Sequence, residues 1–188
     1  MWDRARHIPG VVLDACTGSG CLAIALKKGR PVTNVYAFDL SRDALEVASQ
    51  NAALNQAEVH FFLADLNDIP GVEEAVAGAG LEKQAVGLLI SNPPYVTESQ
   101  KKGMSRRVLS FEPHSALFVP DKDPLIHYRQ LAALGSRFLC SGGTLMAEIN
   151  EYFGRETGRL LQQAGYSEIR VHRDLNEKNR IIEARWVP

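Results

Sequence analysis

Five short apolar runs rich in β-branched and aromatic residues recur along the chain: VVLDA (11–15), NVYAFD (34–39), VHFFLAD (59–65), VGLLIS (86–91) and TLMAEI (144–149). Each reads as a buried strand. Between them the apolar period changes to that of a helix, in CLAIALKK (21–28) closed by Gly29, SRDALEVASQNAALN (41–55) opened by a Ser41 cap, PLIHYRQLAALGSRFL (124–139), and GRETGRLLQQA (154–164) closed by Gly165. This alternation narrows the possible folds more than any other feature. Parallel neighbours need a crossover, and a crossover helix packs back onto the sheet only with a right hand, so the expectation is a parallel sheet covered on both faces. The C-terminal end departs from the rule. EIRVH (168–172) and RIIEARW (180–186) are separated only by RDLNEKN, too short for a helical crossover, so this pair is expected as an antiparallel hairpin. The expected fold is α/β and Rossmann-like: a seven-stranded, mostly parallel sheet ending in an antiparallel hairpin, with helices on both faces.

The chain has 188 residues, 45% of them hydrophobic, which suits one domain over 1–188. Its 21 basic and 22 acidic residues leave a net charge of -1, so no global field draws it to nucleic acid or an anionic membrane surface. No apolar run approaches the roughly 20 residues that span a bilayer, and MWDRARHIPG at the N-terminus lacks the apolar core of a signal peptide. A cytoplasmic location is expected. Cys16, Cys21 and Cys140 form no CxxC pair, and an odd count argues for reduced thiols, of which Cys16 and Cys21, flanking the glycine turn, are expected to pack as small apolar residues. His7, His60, His114, His127 and His172 show no ligand-like spacing, so no metal is expected.

The first strand and first helix are joined by Asp14, Ala15, Cys16, Thr17, Gly18, Ser19, Gly20 and Cys21. Glycines at 18 and 20 allow a tight turn and close approach of a ligand to the helix N-terminus. Cys16 stands where a GxGxxG motif has its first glycine, and the Lys and Ser/Thr of a P-loop are missing, so a ligand without phosphates is favoured. Asp14 suits an ammonium group. Asp39, ending the second strand, suits a pair of ribose hydroxyls. Asp65, ending the third, suits an adenine amino group. Three aspartates at successive strand ends converge on the crevice in which open α/β sheets bind ligands. A cofactor with an amino acid end, a ribose and an adenine is implied, which fits S-adenosylmethionine. Cys16, Thr17, Gly18, Gly20, Leu40 and Leu66 complete the candidate cofactor site.

The fourth strand runs into Asn92, Pro93, Pro94 and Tyr95 at the same edge. An amide or exocyclic amino nitrogen is a poor nucleophile because its lone pair is delocalised. The Asn92 side-chain oxygen and the Pro93 carbonyl can accept its two N–H bonds, localising the lone pair and stabilising the developing positive charge. The prolines hold that carbonyl with little entropy to lose, and Tyr95 offers a flat face for stacking. Asn92 also borders the cofactor. KKGMSRR (101–107) sets four positive charges beside this site, a candidate contact for RNA or the ribosome.

NPPY matches the signature of methyltransferases acting on planar nitrogens, and the topology is that of the Rossmann-like class I methyltransferases. With DACTGSGCLAIAL, RRVLSFEPHSALF and the late GGTLMAEI, the chain from about Val11 to Arg180 resembles the catalytic domain of the HemK/PrmC family. That resemblance implies methyl transfer from S-adenosylmethionine to the side-chain amide of the GGQ glutamine in peptide-chain release factors. It gives Asp14, Gly18, Gly20, Asp39 and Asp65 to the cofactor, and Asn92, Pro93 and Tyr95 to the glutamine, with Pro94, Glu112 and Pro113 lining the substrate. Two departures stand out. The family's N-terminal helical docking domain and its Pro-Arg and Glu-Thr segment have no counterpart, since ten residues precede the first strand. After Glu148 and Ile149, where the family carries Gly and then Gln, stand Asn150 and Phe153. The alternatives are an adenine or guanine amino methyltransferase acting on RNA or DNA, and a cofactor-binding module without catalysis.

Overall fold

The computed structural model describes residues 1–104 and 113–188. These form α1 (Trp2–Ala5), β1 (Val11–Ala15), α2 (Cys21–Gly29), β2 (Val35–Asp39), α3 (Arg42–Leu54), β3 (His60–Leu63), α4 (Ile69–Gly78), β4 (Val86–Ser91), β5 (Val96–Thr97), a 3-10 turn (Glu98–Gly103), α5 (His114–Leu117), β6 (Phe118–Val119), α6 (Ile126–Phe138), β7 (Leu139–Glu148), α7 (Gly154–Gln163), β8 (Tyr166–Arg173) and β9 (Asn179–Trp186). Seven strands make one sheet in the order β3-β2-β1-β4-β7-β9-β8. The first five are mutually parallel, and β9 runs antiparallel between β7 and β8. β5 and β6 pair separately beside it.

Successive residues along a strand face opposite sides, and here both sides are apolar. Leu13, Ala15, Phe38, Leu89 and Leu145 belong to one core with α4, α6 and α7. Val12, Ala37, Leu88, Ile90 and Met146 belong to a second core with Ala5, Ala23 and Leu26 of α1 and α2. Burying one such Leu or Phe contributes roughly 1.5–3 kcal/mol. The continuous apolar runs in the sequence thus reflect a sheet covered twice. α3 is set by its cap, since the Ser41 hydroxyl accepts from the Ala44 N–H at 3.2 Å.

Some boundaries differ from the sequence reading. α4 lies in 66–85, where no helix was expected; its N-cap is Asp68, whose carboxylate accepts from Gly71 N–H at 3.2 Å, and Pro70 sits in its first turn. β3 ends at Leu63, two residues before Asp65, and β7 begins at Leu139. The span 92–123, which carries none of the apolar runs or helical patterns read from the sequence, contains β5, the 3-10 turn, α5 and β6 among its described residues. Cys21 opens α2 exposed to solvent, because it lies on the helix face turned away from both cores.

Candidate active site

In the strand order, the direction of chain progression reverses between β1 and β4, so the crevice at their C-terminal ends lies at the switch point. Asp14 of β1 pairs in register with Ile90, and Ala15 with Ser91. The Ser91 hydroxyl donates to the Ala15 carbonyl at 2.8 Å, joining the two strand ends. Asn92 leaves the sheet at that point, directly beside the β1–α2 turn.

The turn itself alternates handedness. Cys16, Gly18 and Gly20 have φ of 58°, 56° and 81°. Only glycine adopts that region without strain, so the side chain of Cys16 makes its conformation costly, and the folded surroundings must hold it there. Cys16 packs against the core, and burial pushes its thiol up to about 12, which leaves it protonated. A Cβ on Gly18 would meet nothing within 4 Å, so the space in front of it is open. On Gly20 it would press on Ala48 and Ile24 at 3.1 Å, so this glycine serves helix packing. Gly20, the N-cap of α2, supplies no side-chain cap to the amides that follow it.

Asp14 is 1% exposed. Its Oδ2 accepts from the Thr17 hydroxyl at 2.7 Å, while Oδ1 is buried with no hydrogen-bond partner among the described residues. Burial raises its pKa to about 7, against the Thr17 hydrogen bond. An isolated buried carboxylate oxygen is costly unless a donor reaches it. Asp39 accepts the Gly18 N–H at 2.8 Å on Oδ2 and the Ser41 N–H at 2.9 Å on Oδ1. Each oxygen keeps a lone pair for a further donor. Leu40 beside it is 61% exposed, an apolar face at the crevice edge. The Asp65 Oδ1 accepts from the Asn67 N–H and Nδ2 at 2.8 and 3.0 Å, leaving Oδ2 without a partner among the described residues. Leu66 departs from expectation: at 3% exposure its side chain fills the core, because the chain turns inward after Asp65 to enter α4.

These residues fit S-adenosylmethionine. Asp14 Oδ1 would accept from its ammonium, the uncapped N-terminus of α2 would face its carboxylate, Asp39 its ribose hydroxyls, and Leu40 and Asp65 its adenine.

Beyond β4, the Asn92 side chain is exposed and engages no hydrogen bond among the described residues, whereas Pro93 is buried and Pro94 and Tyr95 are half-buried. Tyr95 is held at both its hydroxyl and its carbonyl. Its hydroxyl donates to Glu148 Oε1 at 2.7 Å and accepts from Arg180 Nη1 at 3.4 Å, and its carbonyl accepts from Asn150 Nδ2 at 2.9 Å. Burial, then the Glu148 charge, pushes the phenol up to about 12, so it donates as a neutral hydroxyl. Arg180 is anchored in turn by Asp174 at 3.1 Å. Glu148 and Arg180 are neighbours of the candidate site that sequence reasoning missed, and Asn150 stood out there only as a departure from the family pattern; Glu148 ends its strand as Asp39 does, a signal that was available. His127, in the first turn of α6, has its pKa lowered by burial against the pull of Asp65.

Pro113 precedes α5 at the exposed surface, and Glu112 lies outside the described residues, as do Arg106 and Arg107 of the basic stretch. Lys101 is turned onto the His114 ring nitrogen at 3.0 Å and the Phe118 ring at 5.3 Å. Among the described residues, no three His, Cys, Asp or Glu side chains gather as a metal site, and no helix is long and apolar enough to cross a membrane.

The chain is 40% identical over 173 residues to the release factor glutamine methyltransferase of Bacteroides thetaiotaomicron, covering 92% of this chain and 59% of that protein. With the enzyme of the same name from Flavobacterium psychrophilum the identity is 37% over 175 residues, covering 93% and 58%. The chain thus spans somewhat under three fifths of the length of these relatives. Among solved structures, TrmN from Thermus thermophilus superposes with a TM-score of 0.63 at 22% identity, over 98% of this chain and 46% of that one. The ribosomal protein L11 methylase from Lactobacillus delbrueckii subsp. bulgaricus gives 0.61 at 20% identity, over 97% and 72%. Both share the fold. Residues 4–111 match the family described as the methyltransferase small domain, which covers the glycine turn, all three strand-end aspartates and the NPPY turn. The chain belongs to the methyltransferase small domain family.

Proposed function

We propose that this chain carries the catalytic domain of a methyltransferase that transfers a methyl group from S-adenosylmethionine to the side-chain amide nitrogen of the GGQ glutamine of a peptide-chain release factor. The observation that carries the reading is the exposed, unengaged Asn92 at the switch point beside the Asp14 turn, in a chain 40% identical to a release factor glutamine methyltransferase. When bound, the cofactor supplies an electrophilic methyl on a sulfonium. The chain does the rest. Asp14, Gly18, Asp39, Leu40 and Asp65 hold and orient the cofactor. The Asn92 carbonyl oxygen and the Pro93 carbonyl accept the two N–H bonds of the glutamine amide, and Tyr95 stacks on its plane. With its lone pair so localised, the amide nitrogen would take the methyl that the cofactor supplies, and one N–H proton would pass to water.

The assay is labelled methyl transfer to an intact release factor. Labelling should vanish when the GGQ glutamine is changed to alanine, and duplex DNA and RNA should take up little. Asn92→Ala should lower kcat by about a hundredfold or more with cofactor affinity nearly intact, the scale for losing one transition-state hydrogen-bond partner. Preferential labelling of nucleic acid, with the steep salt dependence of phosphate contacts, would instead assign the acceptor to a nucleobase and the 101–107 stretch to RNA.

A further inference from the structure

Asn150 is a polar residue only 4% exposed, in the loop after β7. All three of its bonding groups are used. Nδ2 donates to the Tyr95 carbonyl at 2.9 Å and to Gln100 Oε1 at 2.8 Å, and Oδ1 accepts from the Tyr152 N–H at 3.1 Å. The amide orientation follows from these partners, because a flipped Asn150 would set its oxygen against two acceptors. Gln100 cannot turn to accommodate the flip, since its Oε1 also accepts the Thr97 N–H at 3.0 Å. β7 lies next to β4, with Ser91 opposite Ala147, so the loop carrying Asn150 runs beside the turn carrying Asn92 to Tyr95.

We propose that Asn150 is a positioning residue for methyl transfer: it clamps the NPPY turn through the Tyr95 carbonyl and, through Gln100, the chain that follows it. Glu148 holds the far end of the same tyrosine at 2.7 Å, so the ring is fixed in both position and tilt. Locked φ angles at Pro93 and Pro94 transmit that placement back to the Pro93 carbonyl and Asn92. This role rests on Asn92 to Tyr95 being the acceptor site as proposed above, and the two can fail separately.

Asn150→Asp keeps the shape but removes both donors and places a carboxylate against two oxygens. Misplacing an acceptor group by about 1 Å can cost on the order of a hundredfold. The expected result is a kcat lowered at least about tenfold, a cofactor dissociation constant by calorimetry within about twofold, and Thr97 amide hydrogen exchange accelerated at least about tenfold, with β1 and β2 amides unchanged. Asn150→Gly, which removes the clamp without adding charge, should give the same pattern: lower kcat and faster Thr97 exchange with the cofactor dissociation constant unchanged. Wild-type kcat or unchanged Thr97 exchange in both variants overturns the proposal. So does a loss of cofactor affinity and melting temperature in step with kcat, which would mark a residue needed only for folding. Because kcat is read on whichever planar nitrogen the wild type methylates, a failed glutamine assignment leaves this test intact, and the Thr97 amide reports on the clamp itself without any acceptor.

Discussion

At the residue scale, burial of Asp14 predicts a link between cofactor binding and pH. Its carboxyl titrates near 7 in the folded chain against 3.8 for an ordinary aspartate, because burial disfavours the charged form. The raised value means the folded state holds a proton that the unfolded chain has already released. Stability from this group therefore falls as pH rises from about 3.8 to about 7, and the loss is complete above that. A cofactor ammonium at Oδ1 reverses the preference, since it favours the carboxylate. Affinity should thus rise with pH, by up to tenfold per unit between about 5.5 and 7, with proton release on binding. Asp14→Asn should flatten the profile. Calorimetric titration in buffers of different ionisation enthalpy checks both, and a flat wild-type profile removes Asp14 from the ammonium site. Asp14, Asp39 and Asp65 could be singled out in the sequence because a strand end is a local feature; a single such carboxylate serves equally well to hold a turn, as Asp39 and Asp65 do towards the Ser41 and Asn67 N–H, and only their joint spacing made them candidates. Asn150 was visible only as a departure from a family pattern, and its partners Tyr95 and Gln100 lie 55 and 50 residues away.

At the scale of elements, β4 depends on a missing side chain. A Cβ on Gly87 would collide with the Pro9 carbonyl oxygen, and Gly10, at φ +91°, brings its own Cβ position within 3.0 Å of the Gly87 Cα. The segment entering β1 therefore crosses directly over β4, and the register of β1 against β4 shifts between Val11 and Val12. Gly87→Ala should destabilise the fold by about 1–3 kcal/mol, the usual range for overpacking a filled site. Denaturant titration would show this as a lower midpoint with unchanged slope; an unchanged midpoint would mean that the crossing segment moves aside freely. In the sequence Gly87 was one residue of an apolar run, since nothing local reports that a distant backbone passes over it. α4 escaped notice for a related reason: its apolar face is short, with Val72 and Val76 fully buried and Ile69 and Ala75 packed partly against the core.

For the molecule as a whole, cofactor binding should stabilise the fold. If 1–188 is one cooperative unit whose native state alone binds S-adenosylmethionine, ligand at about 100 times its dissociation constant adds about 2.7 kcal/mol. For a chain of this size that should raise the melting temperature by roughly 5–10 °C in a single transition. Calorimetry with and without ligand checks it, and two transitions of which only one shifts would divide the domain. The alternation of apolar runs with helical patterns was enough to specify an α/β sheet and its antiparallel ending, because strand and helix periods are written in neighbouring residues. The same locality placed Asp14, Asp39, Asp65 and Asn92 at one edge, since parallel strands present their C-terminal ends together. The clamp on Tyr95 belongs to the tertiary structure alone. Glu148, Asn150 and Arg180 reach it from 53, 55 and 85 residues away, and they meet there only because β7 pairs with β4 and β9 with β7. Strand order and register are settled by the packing of the whole sheet, and no short stretch of sequence contains that information.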